Sequence, residues 1–376
     1  MNHETHPIGR AMAGLSRLSV PSPENTVCSL QERMLTMKKT IAMLTAATLA
    51  LSLAACGGTG VTSGSSASTS AATADNASAG GYRIAIVQQL DHASLDEIRT
   101  AIEAELDAKA AELGITIEYK DFNGQNDPTT LNQIGTQVVS DGYDAIIPIA
   151  SLAAQCMTTA AADTGTPVIY AALSDPDAAE LTGIDYVTGT SDALDTKFIM
   201  DMMFAADPDI QTVGLLYSNS EPNSEKPIAD AKAYLDEKGI AYVEATGNTN
   251  DEVLSAAANL ADQADAVFTP TDNVVMAAAA AVSETLTKAG VPYYTGADSF
   301  VTAGALATCG VNYTDLGTTT ADMALDVLQT GTVPEYHVME GGIITVNTET
   351  AAALGIDPSA FADLGGTLKE VVTAAE

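Results

Sequence analysis

Ser151, Asp272 and Asp298 stand where chemistry is easiest to place, because each closely follows an apolar run that would end a buried strand. Ser151 belongs to Ala150-Ser151-Leu152-Ala153-Ala154, directly after Asp144-Ala145-Ile146-Ile147-Pro148-Ile149. A serine there caps a helix, and a helix N-terminus offers free N–H groups and positive potential that suit a carboxylate. Asp272, in Pro270-Thr271-Asp272-Asn273, holds the matching place after Asp265-Ala266-Val267-Phe268-Thr269. If the two segments face each other, one lies near an anion and the other near a cation. A small zwitterion such as an amino acid satisfies both. Asp298, after Tyr293-Tyr294-Thr295-Gly296-Ala297, is a second candidate for an ammonium group. Gln89 follows the first apolar run with Gln88, Asp91 and His92, while Asp175, Asn219, Asn273 and Asn312 stand at further run ends. Each alone also reads as an ordinary turn or cap residue. His92 has no visible nucleophile or metal partner and reads as a loop or cleft hydrogen-bonder. Tyr217, Tyr293, Tyr294 and Tyr313 supply either an apolar wall or core.

The elements that must position these residues form a repeat. From Tyr82 onward strand-like and helix-like runs alternate. Tyr82-Arg83-Ile84-Ala85-Ile86-Val87 reads as a strand, and Leu95 to Leu113 as a helix stopped by Gly114. Ile115-Thr116-Ile117-Glu118-Tyr119 alternates as a second strand, and Asp127-Pro128 opens another helix. After about residue 210 the same programme returns. Val213-Gly214-Leu215-Leu216-Tyr217 matches the first strand, and Ile240-Ala241-Tyr242-Val243-Glu244 the second. Such alternation predicts parallel sheets with helices on both faces, and the duplication predicts two similar lobes. Ligands on such sheets bind outside the carboxyl ends of the strands, so the strand ends converge on one cleft.

Composition removes several functions. Of 376 residues 46% are hydrophobic, enough for a large core, and with no Trp and 6 Phe that core must be mostly aliphatic. The formal net charge is -34, and ten scattered basic residues follow Cys56, which excludes a nucleic-acid partner needing clustered Lys and Arg. No pair among Cys28, Cys56, Cys156 and Cys309 has metal-ligand spacing. Cys156 and Cys309 lie in apolar or small-residue stretches and read as buried free thiols. No phosphate-binding loop, nucleophile elbow, His-Glu zinc helix or glycine-rich dinucleotide turn is present. The expectation is therefore a binding protein rather than an enzyme, without metal or cofactor.

The N-terminal third carries an address. Met37-Lys38-Lys39-Thr40 is a positive segment, Ile41 to Leu53 an apolar one, and Leu53-Ala54-Ala55-Cys56 ends it with small residues and a cysteine. The apolar run is shorter than the roughly 20 residues a membrane-spanning helix needs. Leu-Ala-Ala-Cys resembles the bacterial lipobox, which implies lipidation of Cys56 and cleavage before it. Residues 37–55 are then a signal peptide, and 1–36 a spurious extension with Met37 as the true start. Residues 56–81, rich in Gly, Ser and Ala, read as a flexible linker.

The body resembles the ABC-transporter substrate-binding proteins of the tryptophan/tyrosine-binding type, which share a type I periplasmic-binding-protein fold. The resemblance covers about 82–357. It rests on Ile84-Ala85-Ile86-Val87-Gln88, Asp175-Pro176, Val187-Thr188-Gly189-Thr190-Ser191, Gly214-Leu215-Leu216-Tyr217 and Pro270-Thr271-Asp272-Asn273, with Gly304-Ala305-Leu306-Ala307-Thr308, Val311-Asn312-Tyr313 and Leu316-Gly317. Many relatives look like Ala-Thr-Pro-Ala-Ala where this chain has Ala150-Ser151-Leu152-Ala153-Ala154, so the hydroxyl is kept and the proline is not. The resemblance implies a lipid-anchored, extracytoplasmic protein of the bacterial cell membrane. It would capture an aromatic or branched amino acid and deliver it to a permease served by a separate ATPase chain. By analogy Ser151 would hold the carboxylate, and Asp298 or Asp272 the ammonium. The fold implies three crossings, placed near Gly189–Ser191, Leu306–Ala307 and Thr332–Glu335. The lobes would be 82–189 plus 307–332 and 190–306 plus 333–376. A ligand-sensing receptor feeding a signalling partner is the alternative from another class, and a surface enzyme a third.

Overall fold

A computed structural model describes residues 81–374. The expected extension, signal peptide, Cys56 and the linker up to residue 80 lie outside the described residues, as do residues 375–376.

The first lobe begins with strand β1 (Tyr82–Gln88), helix α1 (Ala93–Leu113), β2 (Ile117–Asn123) and α2 (Pro128–Asp141). It continues through β3 (Ala145–Ile149), α3 (Ser151–Ala161), β4 (Val168–Tyr170) and β5 (Val187–Ser191). The second lobe follows with α4 (Thr196–Ala206), β6 (Thr212–Tyr217), α5 (Pro222–Lys238), β7 (Ala241–Thr246) and α6 (Asn250–Ala261). Next come β8 (Ala266–Thr269), α7 (Asn273–Met276), α8 (Ala279–Ala289), β9 (Tyr293–Thr295), α9 (Asp298–Thr302) and β10 (Ala307–Gly310). The chain returns to the first lobe for α10 (Tyr313–Thr330) and β11 (His337–Val338), and ends in the second with β12 (Ile343–Asn347), α11 (Thr348–Leu354) and β13 (Thr367–Val371).

The first sheet has the order β11-β5-β4-β3-β1-β2 and the second β13-β12-β10-β9-β8-β6-β7. Every pairing in the first sheet is parallel, with Ile84 beside both Tyr119 and Ala145. In the second, β10 and β12 run antiparallel. Helices cover both faces, so β3 is buried along its whole length and reads as an unbroken apolar run. Close approach is built in at two glycines. A Cβ on Gly189, at φ +153°, would lie 2.0 Å from the Tyr170 carbonyl oxygen, and one on Gly317 would lie 2.6 Å from that of Ile98. The second contact lets α10 settle on α1.

The expected two-lobed α/β architecture is present, with different crossing points. β5 extends through Ser191 in the first sheet, where Thr190 and Ser191 pair with β11, so the first crossing begins at Asp192. β10 pairs with β9 and β12, which puts Ala307–Gly310 in the second lobe and corrects the second crossing to residues 311–312. β11 pairs with β5, which moves the third crossing to 339–342. At the first two, strand hydrogen bonding carries the segment a few residues beyond its apolar run; at the third, a two-residue strand adds to the edge of the first sheet. The second expected strand likewise runs later, from Ile117 to Asn123, because its register follows β1 to the end.

Candidate functional site

A cavity lies between the lobes at the carboxyl ends of their strands. Together with its opening to solvent it comprises about 380 Å³ of empty space. Leu95, Met276, Phe300 and Tyr313 give it apolar and aromatic wall, and Ser151, Ser174, Asp192, Asn223, Asp272 and Asn273 give it polar groups.

On the first-lobe side, Ala150 and Ala172 end β3 and β4 at positive φ, +76° and +56°, and both line the cavity. Such conformations cost of order 1–3 kcal/mol in a non-glycine residue and persist where surroundings enforce them. The turn at Ala150 aims the N-terminus of α3 at the cavity. Gln89 Oε1 accepts the Leu152 N–H at 3.0 Å. Ser151 is 4% exposed, and no side-chain hydrogen bond occupies its hydroxyl among the described residues.

On the second-lobe side, Asp272 caps α7 and lines the cavity. Its Oδ2 accepts from the Ser218 N–H and the Ser224 hydroxyl, both at 2.7 Å, and its Oδ1 from the Val275 N–H at 2.9 Å. Burial nevertheless raises its pKa, against those hydrogen bonds. Asp192, at the start of the first crossing, accepts from Ser174 Oγ at 2.8 Å and Tyr313 Oη at 3.3 Å. Burial raises its pKa too, while the Ser174 hydrogen bond works the other way.

The lobes are latched together beside the cavity. Gln89 Nε2 donates across the seam to Glu221 Oε1 at 3.0 Å, while Asn273 Nδ2, on the same lobe as Glu221, donates to its Oε2 at 2.6 Å. His92 Nε2 meets Asn273 Oδ1 at 2.9 Å, and Ser94 Oγ meets Ser299 Oγ at 2.5 Å. Burial, and then the charge of Asp272, push the Glu221 carboxyl up to about 8. Burial lowers the pKa of His92, which favours neutral imidazole at the cavity.

Of the eight residues singled out from sequence, Ser151, Asp272 and Asn273 line the cavity and Gln89 bridges the lobes beside it. The other four are not brought to the cavity wall. Asp298 pairs with Lys369 of β13 at 3.2 Å. Asn219 is exposed and donates to Thr246 Oγ1. Asp175 accepts the Ala178 N–H in a turn, and Asn312 caps α10 by accepting the Asp315 N–H. Among the tyrosines, Tyr313 lines the cavity while Tyr293 and Tyr294 are core. Asp192, Glu221 and Asn223 were missed. Asp192 directly follows the Thr-Gly-Thr-Ser run, which was the one sequence cue to it; Glu221 before Pro222 looks like a plain helix start.

Comparison with known proteins agrees with this arrangement. The family described as ABC transporter substrate binding protein matches residues 83–373. A tyrosine-binding protein of Clostridioides difficile (strain R20291) is 30% identical over 279 residues, 72% of this chain and 80% of that protein. The structure of an ABC domain in complex with L-Trp from Streptococcus pneumonia is 29% identical, with a TM-score of 0.70 over 76% of this chain and all of that one. The ligand-free, open structure of a substrate-binding protein with adhesive properties from Clostridium difficile is 30% identical, with a TM-score of 0.60 over 78% of this chain and all of that one. Two α/β lobes, three crossings, a cavity at the facing strand ends and a family match over nearly all described residues agree: the chain belongs to the ABC transporter substrate-binding proteins, with the type I periplasmic-binding-protein fold.

Proposed function

We propose that this protein captures an aromatic amino acid between its lobes and delivers it to an ABC permease outside the cytoplasm, tethered through a lipid on Cys56. The observation that carries the reading is the polarity of the cavity. At one place Ser151 stands with an uncommitted hydroxyl at the N-terminus of an 11-residue helix, a setting for a carboxylate. Elsewhere the wall carries Asp192 and Asp272 and no Lys or Arg, a setting for an ammonium group. Leu95, Met276, Phe300 and Tyr313 offer the apolar surface that an aromatic side chain fills. The relatives whose descriptions name tyrosine and tryptophan support the same ligand class.

Capture and release are served by the latch. Hinge closure between lobes is a common device for reporting ligand occupancy, and the Gln89–Glu221 and His92–Asn273 bonds exist only when the lobes meet. A tether at Cys56 would raise the local concentration of captor at its permease. No described helix is long and apolar enough to cross a membrane.

A thermal-shift screen tests the ligand class. A ligand that binds only the folded state raises the midpoint by mass action. L-Tyrosine, L-tryptophan or L-phenylalanine should raise it. A response to sugars or nucleosides, with none to any amino acid, sinks the reading. Anchoring is tested separately by incorporation of labelled palmitate in bacteria, expected in the wild type and lost in Cys56→Ala.

A further inference from the structure

Asp192 differs from every other carboxylate at the cavity. It is 5% exposed and lies on the wall. A carboxylate offers about four acceptor positions, and the side chains of Ser174 and Tyr313 fill two of them with neutral hydroxyl donors. No Lys or Arg pairs with it among the described residues. A buried carboxylate without a cation is costly unless it is protonated or receives one. Asp272, by contrast, is spent on its own lobe, with three short hydrogen bonds that cap α7 and hold the loop after β6. Glu221 is engaged by Gln89 across the lobes and by Asn273 within its own lobe.

Position adds a second argument. Asp192 opens the first crossing and Tyr313 follows the second, so their hydrogen bond ties together two of the three segments about which the lobes hinge. A second hollow, lined by Asp192, Tyr313, Val311 and Gly341–Gly342, runs behind them among all three crossings. A charge placed on Asp192 is therefore felt at the hinge and at the cavity together.

We propose that Asp192, oriented by Tyr313 and Ser174, is the counter-ion for the ammonium group of the bound ligand, and that it carries occupancy of the cavity to the hinge. This rests on the amino-acid reading above and names its cation site. Asp192 takes that role in place of Asp272 and Asp298, the two candidates the sequence offers. Selectivity follows: the site accepts a ligand with a protonated amine and rejects the same molecule without it, because the deaminated ligand leaves Asp192 buried and unpaired.

Calorimetric titration of the intact protein with L-tyrosine and with its deaminated counterpart, 3-(4-hydroxyphenyl)propionate, tests the proposal. The wild type should bind the deaminated compound on the order of 100-fold more weakly. Asp192→Asn, nearly isosteric, should lose on the order of 100-fold in L-tyrosine affinity and bind the two compounds within about threefold of each other. Asp192→Ser provides the same comparison if the amide perturbs folding, and Asp298→Asn serves as the control that keeps wild-type discrimination. If Asp192→Asn or Asp192→Ser retains wild-type affinity and discrimination, the assignment of Asp192 is overturned while the amino-acid reading stands. If the wild type binds both compounds equally, no cation site exists. If the wild type binds no amino acid, both readings fall.

Discussion

Gln89 of the first lobe and Glu221 of the second share a buried hydrogen bond of 3.0 Å, and both side chains are almost fully enclosed. The contact puts a titratable group in the seam that must open to admit a ligand. Burial first, and the charge of Asp272 second, push Glu221 up to about 8, whereas a glutamate in the unfolded chain titrates near 4.5. The folded state therefore holds an extra proton between these limits. The stability from this group is fully present below about 4.5 and is lost as pH rises through about 8. Thermal melts of the ligand-free protein should show a midpoint that declines over this window. The decline should be shallower in Glu221→Gln, which keeps the shape of the latch without the titration. An equal slope in both proteins would remove Glu221 as its source.

Ser151 should matter to binding and little to folding. Its hydroxyl has no side-chain partner, so Ser151→Ala leaves no buried group orphaned in the empty protein. A hydrogen bond to a charged carboxylate is worth more than a neutral one, and its loss should weaken amino-acid binding by about 10- to 100-fold. Calorimetry on the variant, paired with an unchanged ligand-free melting midpoint, checks this. Undiminished affinity would place the carboxylate elsewhere.

Asp298→Ala should leave binding intact. The side chain faces Lys369 rather than the cavity, in a partly exposed ion pair at 3.2 Å. Pairs of this kind contribute less than about 1 kcal/mol, so the melting midpoint should shift only slightly and amino-acid affinity should not change. Loss of binding without unfolding would return Asp298 to the site.

Cys156 and Cys309 should stay reduced. They are buried free thiols, Cys156 in α3 of the first lobe and Cys309 in β10 of the second. Burial raises the pKa of both, Cys309 to about 11, which suppresses the reactive thiolate. A thiol reagent should label neither in the native protein and both after denaturation without reductant. A denatured protein that offers neither thiol would reveal a disulfide.

The architecture was legible because parallel strands buried on both faces leave unbroken apolar runs. Ile84–Val87 and Ala145–Ile149 each carry that mark, and the second half repeats it in Val213–Leu216 and Ala266–Phe268. Ser151, Asp272 and Asn273 were legible for the same reason, since strand ends in such sheets point to the cleft. Asp192 and Glu221 were not. Asp192 is enclosed by Ser174 and by Tyr313 from the second crossing, and Glu221 by Gln89 of the other lobe, all distant in sequence, so neighbouring residues carry no trace of their burial. Asp298 misled because its partner, Lys369, arrives from a strand some seventy residues onward, and sequence spacing does not reveal that meeting.

On this reading the cavity holds a zwitterion between Ser151 and Asp192, with its side chain against Phe300 and Tyr313. A crystal structure of the protein with L-tyrosine or L-tryptophan tests it most directly. The ligand should be enclosed by both lobes, with its carboxylate within about 3 Å of Ser151 Oγ and its ammonium within about 3 Å of an Asp192 oxygen. A ligand bound outside this cavity, or one with its ammonium turned away from Asp192, would contradict it.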